Sequence, residues 1–180
     1  LHSFPTRRSS DLKEETLNSL EPLMYGGGAV GGTTMGSFTV PDSPERFEAG
    51  LLNYSGIIGA GAALRYLGEI GMDNIRKHIL GLQEGISEWL EGVEGVSVVG
   101  PEDPAERGSV FSFNLEGLDS HGVAMIMDSK GVYIRSGMHC AHPFFHARGL
   151  DGCARASFHV YNDSGDVDRM LSVLDWMLSR

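Results

Sequence analysis

The sequence contains very little cysteine: its 180 residues include only Cys140 and Cys153. The two could pair on spacing alone, but a chain this size with so few cysteines is typical of a reducing compartment. This composition excludes a disulfide-rich scaffold. We therefore expect two free thiols in a cytoplasmic protein.

Long apolar runs and excess basic charge are also missing. Glycine, arginine or glutamate interrupts every apolar run before the about 20 residues that a membrane span needs. The formal net charge of -10 is opposite in sign to the basic face that nucleic acid requires. The sequence thus predicts no membrane-spanning segment and no nucleic-acid partner. Its hydrophobic share of 41% is sufficient for a folded core.

Residues 1–12 differ from the rest of the chain. They show neither helical nor strand periodicity, and they lack an initiating methionine and the apolar stretch of a secretory signal. We interpret them as a non-native junction, resembling a cloning or sequencing scar, and exclude them from fold prediction.

A glycine-rich run occupies residues 26–34. A phosphate-binding loop would require a Gly-Lys-Ser or Gly-Lys-Thr sequence at the start of a helix, and none follows. Taken alone, the run predicts a flexible connector.

The remaining pattern alternates helices and strands. A short helix carrying Leu17, Leu20, Leu23 and Met24 precedes two longer helices separated by Gly71, the first capped by Ser55 and expected to be central. Strands at 96–99 and 110–115, a helix at 120–129, a strand at 131–134, a strand at 154–161 and a final helix follow. This order indicates an α+β layer, a small sheet with helices on one face.

The stretch of residues 135–143 is the candidate reactive site. It holds Cys140 next to His139, with His142 close behind. A thiol attacks as the thiolate, and a nearby cation or protonated histidine lowers its pKa toward neutrality. The pattern indicates a nucleophilic loop; the alternative is that Cys140 is a small buried hydrophobe.

Two arginines flank this loop. Arg135 precedes it and Arg155 follows it, and a guanidinium can hold a carboxylate through two parallel hydrogen bonds. Together with Cys140 they indicate thiol chemistry on a small carboxylate. A surface ion pair remains the alternative for each arginine alone.

The same stretch of sequence also fits a different class of function. His139, Cys140, His142 and His146 lie close in sequence, and the last two histidines would share a helix face. This spacing also fits a His/Cys metal-binding or sulfur-relay module, although that hypothesis leaves the arginine pair unexplained.

Three separated segments resemble one family. Residues 135–143, the segment 154–157 followed by Asn162, and residues 46–50 followed by Asn53 resemble the SufS-like cysteine desulfurases of the class V aminotransferase superfamily. The resemblance implies an α/β fold of the type I class of transferases that depend on pyridoxal 5'-phosphate (PLP). It also implies that only the C-terminal portion is present: the end of the large domain at 13–54, and a linking helix with the complete α+β small domain at 55–180.

The resemblance assigns roles to individual residues. It implies that Cys140 takes sulfur from L-cysteine as a persulfide while L-alanine leaves, with His139 beside it. Arg155 matches the arginine that grips the substrate carboxylate, and Arg135 and Asn53 match groups that line the same pocket. The backbone at Gly50 and Leu51 corresponds to a cofactor-binding position.

The sequence also departs from this family. Met138 stands where many relatives have histidine, and Leu51 where many have a threonine that contacts the cofactor phosphate. The Ser-x-His-Lys context of the Schiff-base lysine is absent, and its position falls within residues 1–12. We therefore expect this chain to be inactive by itself.

The family further implies a homodimer, a sulfur-acceptor or scaffold protein, and a role in iron–sulfur cluster assembly or other sulfur transfer. Selenocysteine lyase, or another class V aminotransferase or lyase, is the alternative within the superfamily.

Overall fold

The computed structural model describes residues 12–180. The interpretation of the first twelve residues as a junction therefore lies, apart from Leu12, outside the described part of the chain. The chain divides into two units, Leu1–Arg65 and Tyr66–Arg180. The predicted domain boundary at 54/55 stays a prediction.

The first unit has little regular structure. Helix α1 (Glu14–Ser19) is shorter than its apolar pattern predicted, and Leu23 and Met24 are exposed beyond its end. Two short strands, β1 (Gly32–Thr33) and β2 (Phe38–Thr39), form an antiparallel hairpin that the sequence analysis missed.

The glycine-rich run is held more closely than a flexible connector would be. A Cβ at Gly26 would lie 2.1 Å from the Ala49 carbonyl oxygen, and one at Gly28 would lie 2.1 Å from the carbonyl oxygen of Glu48. Only glycine allows two backbone segments to approach this closely. The prediction of a flexible connector was therefore wrong: these glycines allow residues 26–28 to pack on the backbone just before Gly50.

Helix α2 (Tyr54–Ile70) contains the boundary between the units. It has no buried residue, so the expectation that it is central was wrong. Gly71, at φ +88°, separates it from α3 (Met72–Leu90), as predicted. Glycine is favoured at a positive φ after a helix because glycine has no Cβ to clash with the following carbonyl.

A four-stranded antiparallel sheet forms the frame of the second unit. Its strands lie in the order β3-β4-β6-β5. Their bounds are β3 (Val96–Val98), β4 (Val110–Leu115), β5 (Arg135–Gly137) and β6 (Cys153–Ser157). Three helices accompany them: α4 (Ser120–Ser129), the short α5 (His142–His146) and α6 (Ser164–Leu178).

The core lies between this sheet and helices α3, α4 and α6. Alternation along β4 buries Phe111 and Phe113, which stack at 5.0 Å between ring centroids. They belong to one cluster with Ile86 of α3, Met127 of α4 and Leu174 of α6. The predicted small sheet with helices on one face is confirmed.

Helix α6 begins at a capping box. The Asp163 side chain accepts a hydrogen bond from the backbone N–H of Asp166, whose own carboxylate accepts from the backbone N–H of Asp163. This arrangement satisfies N–H groups that would otherwise lack partners at the helix start.

The edge strand β5 differs from its prediction. The expected strand at 131–134 would have ended just before Arg135, whereas β5 begins there and continues to Gly137. Arg135 is therefore a paired strand residue rather than the first residue of a loop. Among the described residues, no helix combines the length and apolar character that crossing a bilayer would take.

Candidate active site

The two arginines lie directly opposite each other in the sheet. Arg135 of β5 pairs with Arg155 of β6 in the antiparallel register, and Arg155 pairs in turn with Ser112 of β4. Directly opposed residues project their side chains from the same face of a sheet. The sheet therefore brings together two guanidinium groups that lie 20 positions apart in the chain.

This face is the one opposite the helices. Because side chains alternate along a strand, Phe111 and Phe113 face the core whereas Ser112, Arg155 and Cys153 face the other side. The Nε atom of Arg155 is buried and has no hydrogen-bond partner among the described residues. Two like charges at opposed positions repel each other, so this face favours an anion between them.

Cys140 lies in a tight turn at the end of β5. The backbone N–H of Ala141 donates to the Met138 carbonyl at 2.7 Å, and the two central residues have φ of +50° at His139 and +60° at Cys140. Positive φ at both central positions is the pattern of a type I′ turn, which normally favours glycine and asparagine. The turn exposes the thiol, so the alternative of a buried hydrophobe was wrong for Cys140.

His139 ties this turn to β6. Its Nε2 lies 3.1 Å from the Cys153 carbonyl oxygen. Because a carbonyl only accepts, Nε2 carries the proton and Nδ1 is unprotonated in the neutral ring. Burial lowers the pKa of His139, and the positive charges of Arg155 and Arg135 lower it further.

The electrostatics of His139 change one expectation. An imidazole with a lowered pKa favours its neutral form near pH 7, so of the two activating groups that the sequence allowed, a cation or a protonated histidine, His139 does not supply the second. The cations that act on this ring are the two guanidinium groups, which therefore lie in its neighbourhood.

Cys153 has a different environment from Cys140. It is 1% exposed and is a free thiol. Burial raises its pKa, an effect that a hydrogen bond with Ser112 and the charge of Arg155 partly offset. Of the two thiols, Cys140 is the accessible one, since a buried thiol with a raised pKa is a poor nucleophile.

The sequence analysis missed a pair on the helix side of the sheet. His121 of α4 and Ser136 of β5 are joined by a hydrogen bond of 2.9 Å between Nδ1 and Oγ. The His121 ring also lies next to Gly137: a Cβ added at Gly137 would be 3.5 Å from the ring atom Cε1, an ordinary van der Waals contact. A single exposed histidine within a helical pattern gave no signal for this contact.

Within the described part of the chain, the histidines near Cys140 are not grouped as the ligands of one metal ion. His142 and His146 do share a helix, α5, and their ring centroids are 6.2 Å apart. Within residues 12–180, however, no group of three or more histidine, cysteine or acidic side chains could hold one ion. The hypothesis of a His/Cys metal-binding module thus lacks its ligand set.

The remaining predicted site residues belong to the first unit. Gly50 and Leu51 are exposed, Leu51 almost fully. Asn53 caps α2, because its Oδ1 accepts from the backbone N–H of Gly56 at 3.0 Å. This cap replaces the one predicted at Ser55. The roles of these three residues toward substrate and cofactor stay predictions.

Similarity to known proteins covers nearly the whole chain. The family profile described as Aminotransferase class-V matches residues 12–170. A probable cysteine desulfurase from Mycobacterium leprae is 38% identical over 160 residues, which are 89% of this chain and 38% of that protein.

Solved structures give the same result. The apo structure of a cysteine desulfurase from Thermococcus onnurineus matches with a TM-score of 0.88 at 37% identity, over 93% of this chain and 42% of that one. The Escherichia coli cysteine desulfurase CsdA matches with a TM-score of 0.83 at 27% identity, over 93% and 41%. These findings confirm the resemblance and the α/β fold of type I PLP-dependent transferases. The chain spans about two fifths of the length of these relatives.

Proposed function

Because the chain belongs to the Aminotransferase class-V family, we propose that it is part of a PLP-dependent cysteine desulfurase. In the proposed reaction, L-cysteine and the Cys140 thiol give L-alanine and a Cys140 persulfide. The sulfur atom passes from the side-chain carbon of the substrate to the sulfur of Cys140, and that carbon gains a proton. The persulfide then supplies iron–sulfur cluster assembly or another sulfur transfer.

The observation that carries this proposal is the opposed pair of arginines. Arg135 and Arg155 occupy directly paired positions on the face of the sheet opposite the helices, and Nε of Arg155 is buried without a hydrogen-bond partner among the described residues. A carboxylate would relieve their repulsion and accept from the guanidinium donors. This pair therefore suits the carboxylate of an amino acid.

The turn supports the role of Cys140. Its exposed thiol lies at the end of β5, the strand that begins with Arg135. His139 holds the turn to β6 through the Cys153 carbonyl and leaves Nδ1 free to accept a proton. We propose that His139 positions the turn and can accept the thiol proton.

The lysines of the described chain do not fit the aldehyde anchor of the cofactor. Lys13 lies at the exposed start of α1, and Lys77 is exposed on α3. The Nζ of Lys130 lies 4.7 Å from the centre of the Trp176 ring. PLP supplies the electron sink when it is bound, so we propose that this chain alone is inactive and that only the parent protein turns over.

The wider assignments follow from the family. We propose a homodimeric, cytoplasmic parent that passes sulfur to an acceptor or scaffold protein. Gly50, Leu51 and Asn53 remain the proposed cofactor and substrate contacts of the first unit. With Leu51 in place of a threonine, only backbone groups at 50–51 can serve a cofactor phosphate there.

Cysteine turnover by the parent protein tests the proposal. Cys140→Ser should abolish alanine formation from L-cysteine, whereas Cys153→Ser should retain it, because the second thiol is buried. Arg155→Gln should raise KM for cysteine by about tenfold or more, since a charge-assisted contact to the carboxylate is lost. Unchanged turnover in Cys140→Ser would refute the role of the thiol.

The same assay separates the alternative substrates. The parent protein and its Cys140→Ser variant are each assayed with L-cysteine and with selenocysteine, and the variant should lose turnover of L-cysteine. If selenocysteine alone is turned over, and turnover survives Cys140→Ser, the parent is a selenocysteine lyase. The present chain, given PLP and L-cysteine, should form no sulfide above a cofactor-only background.

A further inference from the structure

Side chains from two elements meet at the end of β5, on the helix side of the sheet. The Nδ1 atom of His121 in α4 lies 2.9 Å from the Oγ atom of Ser136. Ser136 stands between Arg135 and Gly137, the first and last residues of the strand. The same imidazole lies beside Gly137, where an added Cβ would be 3.5 Å from its Cε1 atom. One ring from α4 therefore lies against both of the last two residues of β5.

Strand β6 approaches Gly137 as well. A Cβ added at Gly152 would lie 2.7 Å from the carbonyl carbon of Gly137, so the two backbones come this close only because residue 152 is a glycine. Gly137 also pairs with Cys153 in the strand register. The end of β5 is thus held by β6 and by the His121 ring, and its position depends on both.

The turn that presents Cys140 begins at this point. Gly137 ends β5 with a φ of +100°, and the next residue, Met138, supplies the carbonyl on which the turn closes. His139 is bonded to the Cys153 carbonyl from within the turn. Only two residues separate Gly137 from Cys140. A shift of the end of β5 therefore moves the turn and the thiol that it carries.

Helix α4 keeps His121 in a fixed place. The side chain of its N-cap, Asp119, accepts hydrogen bonds from the backbone N–H groups of His121 at 2.9 Å and Gly122 at 3.1 Å. The bonds from Gly122 and His121 lower the pKa of Asp119, so the carboxylate stays charged at neutral pH. Val123 and Met127 of the same helix are buried in the core. The His121 ring therefore projects from a capped helix that the core anchors.

We propose that His121 is a positioning residue of the cysteine turn, and that it acts through Ser136 and Gly137 on the placement of Cys140. The inference deepens the proposed function, and its consequence for the reaction rests on that function. A nucleophile reacts efficiently only when it is held close to the productive geometry, and supporting hydrogen bonds restrict it to that geometry. Ser136 is also the chain neighbour of Arg135, so the same bond holds the strand that carries one of the two guanidinium groups.

Amide hydrogen exchange in the present chain tests the proposal without cofactor or substrate. The reporter is the N–H of Ala141, which closes the turn on the Met138 carbonyl, and the reference is the N–H of Leu174 in the core, which reports unfolding of the whole unit. His121→Ala and Ser136→Ala each remove the hydrogen bond. Each should raise the exchange rate of Ala141 about fivefold, as expected if opening of the turn also breaks this bond.

The two amides distinguish positioning from general stabilisation. If only Leu174 exchanges faster in these variants, the bond stabilises the unit without holding the turn, and the proposal is wrong. Because Ser136→Ala removes the same bond from the strand side, the test still decides if His121→Ala does not fold.

A second histidine provides the matched control. His78 of α3 is also exposed, and its Nε2 atom lies 2.8 Å from the Asn162 carbonyl oxygen. His78→Ala removes a comparable bond elsewhere in the unit and should change the exchange rate of Ala141 less than about twofold. An equal increase in His78→Ala and His121→Ala would show that the turn responds to any loss of stability, and would overturn the proposal.

A conservative variant tests rescue. His121→Asn places an amide close to the position of Nδ1, where it can again bond to Ser136. Exchange of Ala141 in this variant should therefore be at most about twofold faster than in the unmodified chain. If His121→Asn exchanges as fast as His121→Ala, the side chain does not act through the hydrogen bond, and the proposal is wrong.

The titration of His139 gives a second readout. Burial lowers the pKa of this ring, and the charges of Arg155 and Arg135 lower it further. A turn loosened by His121→Ala exposes the ring to water, so its pKa in an NMR titration should rise toward the ordinary value of about 6.5. A pKa that shifts no more in His121→Ala than in His78→Ala would contradict the proposal.

These outcomes are separate from those that test the proposed function. Unchanged exchange at Ala141 would remove the role of His121 and leave desulfurase activity of the parent untouched. Faster exchange, combined with a parent that forms no alanine, would remove the desulfurase and retain the support of the turn.

The kinetics of an active parent give the last readout. His121→Ala should lower kcat about fivefold and change KM less than about twofold, because the thiol is displaced while Arg155 stays paired with Ser112 and Arg135. A rise in KM with unchanged kcat would overturn the placement of Cys140 by His121.

Discussion

The two units of this chain differ in how far they bury their own side chains. In the described residues up to Arg65, Ala29 is the only buried hydrophobic side chain, and Leu23, Met35 and Leu51 are almost fully exposed. From Tyr66 onward, sixteen buried hydrophobic residues form one cluster between a sheet and three helices. Burial of apolar surface is the main driving force for folding, so the second unit has its own source of stability and the first does not.

The largest expected effect comes from separating the units. A fragment of residues 71–180 contains the whole core and should unfold in one cooperative thermal transition. A fragment of residues 1–65 should show none, because it has almost no buried apolar surface to offset its conformational entropy.

Circular dichroism of both fragments during heating checks this prediction. A cooperative transition in the shorter N-terminal fragment would break the comparison, and so would its absence in residues 71–180.

A matched pair of phenylalanine substitutions tests the same contrast at single sites. Phe113→Ala removes a fully buried ring and should lower the free energy of unfolding by about 3–5 kcal/mol. Phe38→Ala removes a half-exposed ring of the β1–β2 hairpin and should change it by less than about 1 kcal/mol. Urea unfolding followed by circular dichroism measures both. Equal losses would show that the first unit takes part in the cooperative core.

The second unit itself contains a contrast: its sheet and helices form a stable core, whereas the turn at His139 and Cys140 has a strained backbone. At φ +60° an alanine is disfavoured and a glycine is not. Cys140→Gly should therefore be about 1 kcal/mol more stable than Cys140→Ala.

The control for the turn is a residue inside a helix. At Ala124 of α4 glycine should be about 1 kcal/mol less stable than alanine, the opposite sign. If glycine destabilises both positions, the turn does not have its left-handed geometry in solution.

The smallest expected effect is a pH dependence at His139. Its pKa is lowered in the folded protein, so the unfolded chain binds the proton more readily. The stability that it contributes is present above the unfolded pKa of about 6.5 and is lost as the pH falls through the folded pKa.

Thermal unfolding between about pH 7.5 and pH 5 measures this effect against His139→Asn. The unmodified chain should lose more thermal stability over this range than the variant does. If both proteins lose the same thermal stability over this pH range, the imidazole is solvated and is not held beside the guanidinium groups.

Much of the second unit could be predicted from the sequence. The helix at 120–129 has its predicted bounds, β4 spans 110–115 as predicted, and Gly71 separates two helices. Each of these rests on local chemistry, such as the period of apolar residues or the permissive backbone of glycine.

The first unit and the edges of the sheet were harder to predict. The strand expected at 131–134 starts at Arg135, the hairpin of β1 and β2 was missed, and the glycine run packs closely on residues 48–49. In each case a distant segment decides the local structure. A sequence pattern does not specify which backbone will lie opposite an edge strand or a glycine.

The sequence by itself determined the chemical groups: one thiol in a histidine-rich loop, two arginines around it, and an amphipathic pattern for the helices that support them. The tertiary structure alone decided that Arg135 opposes Arg155, that His139 is bonded to β6, and that Cys140 lies exposed at positive φ. The physical reason is that side-chain chemistry belongs to each residue, whereas register and turn geometry arise only when distant strands pair and a core holds them in place.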